Sequence, residues 1–292
     1  MTIPWPLTEP LVIGRAAERR DLEMSQATAV VVRDGAVLAA DGTVVELPPG
    51  ERPQASLTVY LGHDGNRDLV AVVPEDEQFG LADDGIGSER MTGLRDLMRR
   101  FTENDATAAR DRELATTAVA ITTWHANHPR CALCGEVTVP IHGGWVRRCD
   151  ADGREHYPRT DPAVIVAITD PEDRLFIAHA SYWSARRYSH LAGYVEPGES
   201  LEQAAHREVG EEASLTLASL SYVASQPWPF PASVMVGFKA TVESPDFTLD
   251  DDEITDAMWV TREELPALVA EGNVILPPPG SIARWMLDDW LA

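Results

Sequence analysis

Three glutamates crowd into five residues, Glu208, Glu211 and Glu212, directly after Arg207. On a helix, side chains three and four apart are neighbours, so these carboxylates would project together. Like charges held that close destabilise an isolated helix, and a compensating cation is expected. All-oxygen ligation suits hard ions such as Mg²⁺ or Mn²⁺, which also bind substrate phosphates. Arg207 is expected to be structural, neutralising and orienting Glu199 or Glu211. The bland alternative for a bare acidic run is a solvated helix face.

A second constellation is sulfur-based. All three cysteines fall in one stretch, Cys131-x-x-Cys134 and, fourteen residues on, Cys149. An odd count in a chain with no export signal argues against a disulfide framework. A closed four-coordinate zinc site needs one more donor. The candidates are Asp152 and His156, and His156 is preferred because imidazole is the better zinc ligand by softness. Such a closed site is structural.

A third signal is the segment Ser225-Gln226-Pro227-Trp228-Pro229-Phe230-Pro231-Ala232-Ser233. Three prolines in five residues cannot continue a sheet ladder, so a stiff, exposed loop is expected. Trp228 and Phe230 would then be pre-set stacking surfaces with little entropy left to lose on binding. The alternative is a proline-aromatic loop that merely packs on the core. Lone histidines such as His125, His190 and His206 are expected to cap, solvate or pack.

These residues sit in a longer pattern. Residues 193–215, GYVEPGESLEQAAHREVGEEASL, resemble the Nudix box, in which a glycine is followed by five residues and Glu199, then by seven residues and Arg207-Glu208-Val209-x-Glu211-Glu212. Ser214 stands where the family usually has glycine. The loop from Ser225 to Ser233 resembles the SQPWPFPxS signature of the family's NADH pyrophosphatase branch. Tyr157-Pro158-Arg159, Leu191-Ala192-Gly193, Glu253 and the stretch from Leu276 to Arg284 are also similar.

The resemblance implies catalytic metal on Glu208, Glu212, Glu253 and the backbone carbonyl of Ala192, with Glu211 or Glu253 as general base. It implies substrate contacts from residues 226–233 and Ala283. Aromatics at Tyr157 and Tyr194 are expected near the adenine, partly across a homodimer interface. The implied reaction is hydrolysis of NADH or NAD to AMP and a nicotinamide mononucleotide. One alternative is action on NAD-capped RNA 5′ ends or another nucleoside diphosphate derivative. A rival of another class is a non-catalytic module that senses a dinucleotide; loss of the box glutamates would favour it, and none is lost.

The elements that must position these groups follow from periodicity. A helix is expected over 199–213 with Ser200 as N-cap, flanked by strands at 163–168, 174–178, 233–241 and 257–260, with a closing helix at 281–291. Upstream, strands are expected at 27–32, 36–38, 44–47, 57–61 and 69–73, with Asp34-Gly35 and Asp41-Gly42 as turns. A helical pattern runs from Gly93 to Trp124. The fold class expected is α/β (α+β). Residues 1–128 would form an N-terminal α+β domain for folding or dimerisation, 129–160 a zinc ribbon, and 161–292 a Nudix mixed-sheet α/β/α sandwich.

The chain has 292 residues, 44% of them hydrophobic, enough for a sizeable core in about two domains. No long apolar run suggests a membrane span, and Met1 to Arg15 does not read as a signal peptide, so a cytoplasmic protein is expected. A net charge of −23 disfavours nucleic acid and anionic membranes as partners unless basic residues are locally concentrated. Lys239 is the only lysine, which excludes a phosphate loop ending in lysine.

Overall fold

The computed structural model describes residues 5–77, 79, 89–102, 106–250 and 252–292. The chain divides into two compact units: Glu9–Thr160 with Pro229–Ala232, and Asp161–Trp228 with Ser233–Ala292 and residues 5–8.

The N-terminal unit is built on a mixed sheet. Its strands are β1 (Thr28–Arg33), β2 (Ala36–Ala40), β3 (Thr43–Val44), β4 (Glu46–Leu47), β5 (Ala55–His63), β6 (Asp68–Pro74) and β7 (Glu89–Gly93). The order is β3-β2-β1-β6-β5, with β4 on β1 and β7 on β2, and β1 runs parallel to β6. Asp34 and Gly35 both have positive φ, 47° and 76°, as do Asp41 and Gly42, 51° and 78°. That is the backbone twist a tight hairpin needs. The helical pattern after Gly93 is broken: α1 covers Leu94–Leu97, and the long α2 covers Ala106–Asn127. Residues 103–105, inside the expected helical stretch, lie outside the described residues.

The ribbon follows as β8 (Thr138–Ile141), β9 (Val146–Cys149) and β10 (Glu155–His156), an antiparallel sheet ordered β10-β9-β8. It is fastened to the rest of its unit by buried polar contacts. Arg147 donates to His125 Nδ1 at 2.7 Å, and His125 Nε2 donates to the Gly144 carbonyl at 2.7 Å. Burial holds His125 down to about 4, so the ring is neutral and can serve as acceptor and donor at once. Trp145 Nε1 donates to the Tyr60 carbonyl at 2.6 Å.

The C-terminal unit holds β11 (Asp161–Thr169), β12 (Leu175–Ala180), β13 (Leu191–Tyr194), α3 (Leu201–Ala213), β14 (Leu217–Trp228), β15 (Ser233–Val242), β16 (Ile254–Val260), α4 (Glu264–Ala270) and α5 (Ile282–Leu291). The sheet runs β14-β15-β11-β12-β16, with β13 paired to β11 and β11 parallel to β15. Side chains alternate across a strand, and β11 uses both faces. Val164, Val166 and Ile168 pack with Ala204, Ala205 and Val209 of α3. Ile165 and Ala167 pack with Ile282, Met286 and Leu287 of α5. This is an α/β/α sandwich. Trp5 joins it, donating Nε1–H to the Ser225 carbonyl at 2.9 Å and packing against Trp285 with ring centroids 5.0 Å apart and planes tilted by 45°. No described helix is long and apolar enough to cross a membrane.

Candidate functional site

The acidic helix is set by its start. Ser200 caps α3: its hydroxyl accepts from Gln203 N at 3.1 Å, while Gln203 Oε1 accepts from Ser200 N at 2.8 Å. This reciprocal box satisfies two backbone donors that a helix start otherwise leaves open. The helix therefore begins at Leu201, two residues after the expected start, and leaves Glu199 outside it. At the other end Ser214 takes the left-handed conformation, φ 54° and ψ 24°. This is the conformation glycine adopts without penalty, which accounts for the family's preference there.

Arg207 organises the carboxylates. It donates to both oxygens of Glu199 at 2.6 and 3.1 Å, to Glu208 at 2.9 Å, to Glu211 at 3.1 Å and to the Tyr194 carbonyl at 2.9 Å. It therefore ties the loop before α3, the strand β13 and two helical glutamates into one network. Gly193 on β13 completes it: a Cβ there would lie 2.0 Å from the Glu208 carboxyl group. Glycine leaves open the space that the carboxylate occupies; a side chain there would push the Glu208 carboxyl group out of place.

Glu212 is different. It is 6% exposed, and its Oε2 has no hydrogen-bond partner. Burial, then the nearby charges of Glu208, Glu253 and Asp250, push its carboxyl up to about 8. Burial also raises Glu208, against the pull of Arg207. A buried, unpartnered carboxylate oxygen beside further carboxylates lacks a cation, and oxygen donors suit a hard divalent one. The residues present fit such a metal.

Glu212 lines a cleft of about 280 Å³ in the C-terminal unit, and so do Ala192, Glu253, Trp228 and Ala283. Asp250, which sequence reasoning did not single out, orients Glu253: its carboxylate accepts from Glu253 N at 3.1 Å and Ile254 N at 3.0 Å. Glu208 and Glu211 are both held by Arg207 and both absent from the cleft wall; Glu211 is mostly exposed, whereas the Glu208 side chain is 12% exposed.

The proline-aromatic segment departs from expectation. Ser225, Gln226, Pro227 and Trp228 belong to β14 and pair with β15, Pro227 opposite Val234 and Trp228 opposite Ser233. β14 is the edge of its sheet. On an edge, alternate backbone N–H groups point away from the ladder, so proline is tolerated. Only Pro229–Ala232 remain as the hairpin tip, and of the prolines Pro227 and Pro231 are exposed while Pro229 is buried. Gln226 is buried, with its amide fully engaged: Nε2 donates to the Gly280 carbonyl and Oε1 accepts from Ile282 N, both at 2.7 Å. It clamps the start of α5. The Phe230 ring carries the Arg95 guanidinium 4.0 Å from its centroid, so one of its faces is taken. Ser233 is buried beside the Tyr194 hydroxyl at 3.2 Å. Tyr194 is otherwise exposed, as is Tyr157, whose hydroxyl donates to Glu155 at 2.6 Å.

In the ribbon, donor atoms of Cys131, Cys134, Cys149 and Asp152 lie within 4.8 Å of one another. Cys134 and Cys149 Sγ are 3.5 Å apart, and Cys131 Sγ is 3.5 Å from Asp152 Oδ2. The turn after Cys149 brings the Asp152 carboxylate among the three thiols, so it stands beside His156 as a candidate for the fourth place. His156 Nε2 is buried near them without a hydrogen-bond partner. Backbone N–H groups of Cys134 and Leu133 hold the Cys131 thiol down, to about 7, which favours the ligating thiolate.

His190, expected to cap, solvate or pack, lines the cleft but is buried, and burial holds its imidazole down to about 4 and neutral. The aromatic-basic run Tyr182, Trp183 and Arg187 also lines the cleft and was missed. Its only signal was an arginine pair amid aromatics in an acidic chain.

Comparison with known proteins places the chain in a family. Residues 159–277 match the NUDIX domain family, and residues 126–157 match the NADH pyrophosphatase zinc ribbon domain. The chain is 38% identical over 282 residues, 93% of its length and 85% of the relative's, to a Mycobacterium bovis protein named NAD-capped RNA hydrolase NudC. It is 33% identical over 265 residues, 90% of its length and 86% of the relative's, to a protein of the same name from Deinococcus radiodurans. A NUDIX hydrolase structure from Nitrosomonas europaea aligns with a TM-score of 0.41 at 22% identity, covering 47% of this chain and 80% of that one.

Proposed function

This chain belongs to the Nudix hydrolase family, and from that premise we propose that it cleaves the diphosphate of NADH and NAD, giving AMP and a nicotinamide mononucleotide. The observation that carries the reading is one cleft lined both by the carboxylates of Glu212 and Glu253 and by the indole of Trp228. Glu208, Glu212, Glu253 and the Ala192 carbonyl are the groups that would hold Mg²⁺ or Mn²⁺. Such an ion, when bound, neutralises phosphate charge and lowers the pKa of the attacking water. Glu253 accepts the proton of that water as a P–O bond forms and the bridging P–O bond breaks. Glu211 is the less suitable base, since Arg207 holds its carboxylate away from the cleft wall. Trp228 supplies a face for a heterocycle, and the small side chain of Ala283 leaves room beside it.

In this reading the chain comprises an N-terminal α+β domain (1–128), a ribbon with structural zinc (129–160) and the hydrolase domain (161–292). It acts as a cytoplasmic homodimer, with Tyr157 and Tyr194 near the adenine.

A second reading is favoured by the names of the Mycobacterium bovis and Deinococcus radiodurans relatives: the same cleavage on NAD-capped RNA. The net charge of −23 weighs against long RNA contacts. The deciding experiment compares AMP or 5′-monophosphate release from NADH, NAD and NAD-capped RNA with Mg²⁺ or Mn²⁺. Release from capped RNA alone would replace the first reading with the second; no release from any would sink both. Trp228→Ala should lower kcat/KM on NADH by about ten- to a hundredfold, the scale of one lost stacking contact. The loss should be smaller on ADP-ribose, which lacks the second heterocycle. Equal losses with a lowered melting temperature would assign Trp228 to packing.

A further inference from the structure

Arg187 is the one arginine or lysine among the described residues that line the cleft. The chain carries 47 acidic residues against 24 basic ones, so arginines generally find carboxylates. Arg207, Arg110 and Arg174 each hold one at 2.6–2.7 Å. The guanidinium of Arg187 forms no hydrogen bond or ion pair among the described residues. Its contact is with the indole of Trp183, 5.3 Å from the ring centroid.

The position is nonetheless firmly built. The Arg187 carbonyl accepts from His179 Nδ1 at 2.8 Å. The neighbouring backbone is clipped to Ile275 on both sides, by Ile275 N to Arg186 O at 2.7 Å and Tyr188 N to Ile275 O at 3.1 Å. Tyr182 lines the same cleft as Glu212, Glu253 and Arg187. The cleft thus offers carboxylates that need a cation and, in the same lining, a half-buried cation that lacks an anion among the described residues.

We propose that Arg187, propped on Trp183, binds the phosphate of the substrate's diphosphate that the acidic cluster does not hold, and so determines the cleft's preference for diphosphates. The inference rests on the reading of the cleft as a dinucleotide diphosphatase site. A guanidinium presents a planar fork that matches two phosphate oxygens, and its stacking on an indole fixes that plane before the ligand arrives. The arrangement answers a specific need. A phosphate drawn to the metal-binding side brings its neighbour into a cleft whose other charged groups are acidic.

The test uses the full-length protein with saturating Mg²⁺ and two diphosphates, NADH and ADP-ribose. Arg187→Gln should raise KM for both by about tenfold or more, the worth of a lost charge-assisted hydrogen bond, with kcat within about twofold. Arg187→Lys should recover part of the loss, since it keeps the charge but not the fork. If Arg187→Gln does not fold, Arg187→Met, which keeps the stem against Trp183, takes its place. Unchanged KM in the uncharged variant, a fall in kcat at constant KM, or a lysine variant no better than glutamine would each overturn the assignment. If the parent hydrolyses ADP-ribose but not NADH, the substrate reading fails, while Arg187 is still judged on ADP-ribose.

Discussion

Removing magnesium and manganese while leaving zinc in the ribbon should expose a pH-dependent weakness centred on Glu212. Its carboxyl is buried, with Oε2 unpartnered, and its pKa rises from 4.5 to about 8. The folded chain therefore keeps a proton that the unfolded chain has lost. For a carboxyl raised in this way, folding stability is unaffected below about pH 4.5, falls as pH rises, and levels off above about pH 8. Between pH 6 and pH 8 the loss is about 2 kcal/mol, and in a chain of this size each kcal/mol corresponds to roughly 2–4 °C in Tm. Glu212→Gln has no proton to lose and should escape that slope. The measurement is Tm of parent and variant from pH 6 to pH 8 after dialysis into buffer free of Mg²⁺ and Mn²⁺. The gap between the two should change by about 4–8 °C in the variant's favour as pH rises. Adding Mg²⁺ should restore the parent and leave the variant unmoved, since a ligand that binds only the folded state stabilises it by mass action. Parallel pH profiles would refute the reasoning, because they would mean that Glu212 carries no excess proton.

Gly193→Ala should abolish NADH hydrolysis and weaken Mg²⁺ binding, because the new Cβ would meet the Glu208 carboxyl; near-parental turnover in a folded variant would contradict the fit. Ser214→Gly should stabilise the chain by about 0.5–1 kcal/mol in urea unfolding, since Ser214 occupies a left-handed position that glycine adopts freely. Purified protein should carry about one zinc per chain. Asp152→Ala should lower zinc retention against a competing chelator and His156→Ala should not, with the reverse result returning the fourth place to His156.

What the sequence made legible depended on how local the cause was. The Asp-Gly turns and the Ser200 cap are set by neighbours within a few residues, and they stand where sequence patterning puts them. The proline-aromatic segment was misjudged because proline's cost in a strand depends on whether the strand lies at an edge, and strand order is a tertiary fact. Gln226 was expected at the ligand through the resemblance of its loop; the groups its amide meets, Gly280 and Ile282, are more than fifty residues away and no local pattern announces them. The zinc donor was ranked by chemical softness, but the turn after Cys149 brings the harder Asp152 among the thiols. Arg187 could not be singled out at all, since an arginine becomes informative only when its surroundings are seen to lack a carboxylate.

The acidic box divides unequally, and the division says where the metal's work falls. Glu208 and Glu211 share the Arg207 guanidinium, which also holds Glu199 and the Tyr194 carbonyl. Their geometry is therefore maintained whether or not a cation is bound. Glu212, four residues beyond Glu208 and pointing into the core side of the cleft, has no such partner and is the most strongly perturbed carboxyl of the group. A site built this way stays open without metal because Arg207 offsets most of the repulsion, yet it retains one unmet electrostatic demand. Binding of a divalent ion must displace the Glu212 proton, so apparent metal affinity should climb as pH approaches about 8. The arginine fixes the geometry, and the unpartnered glutamate couples metal binding to pH.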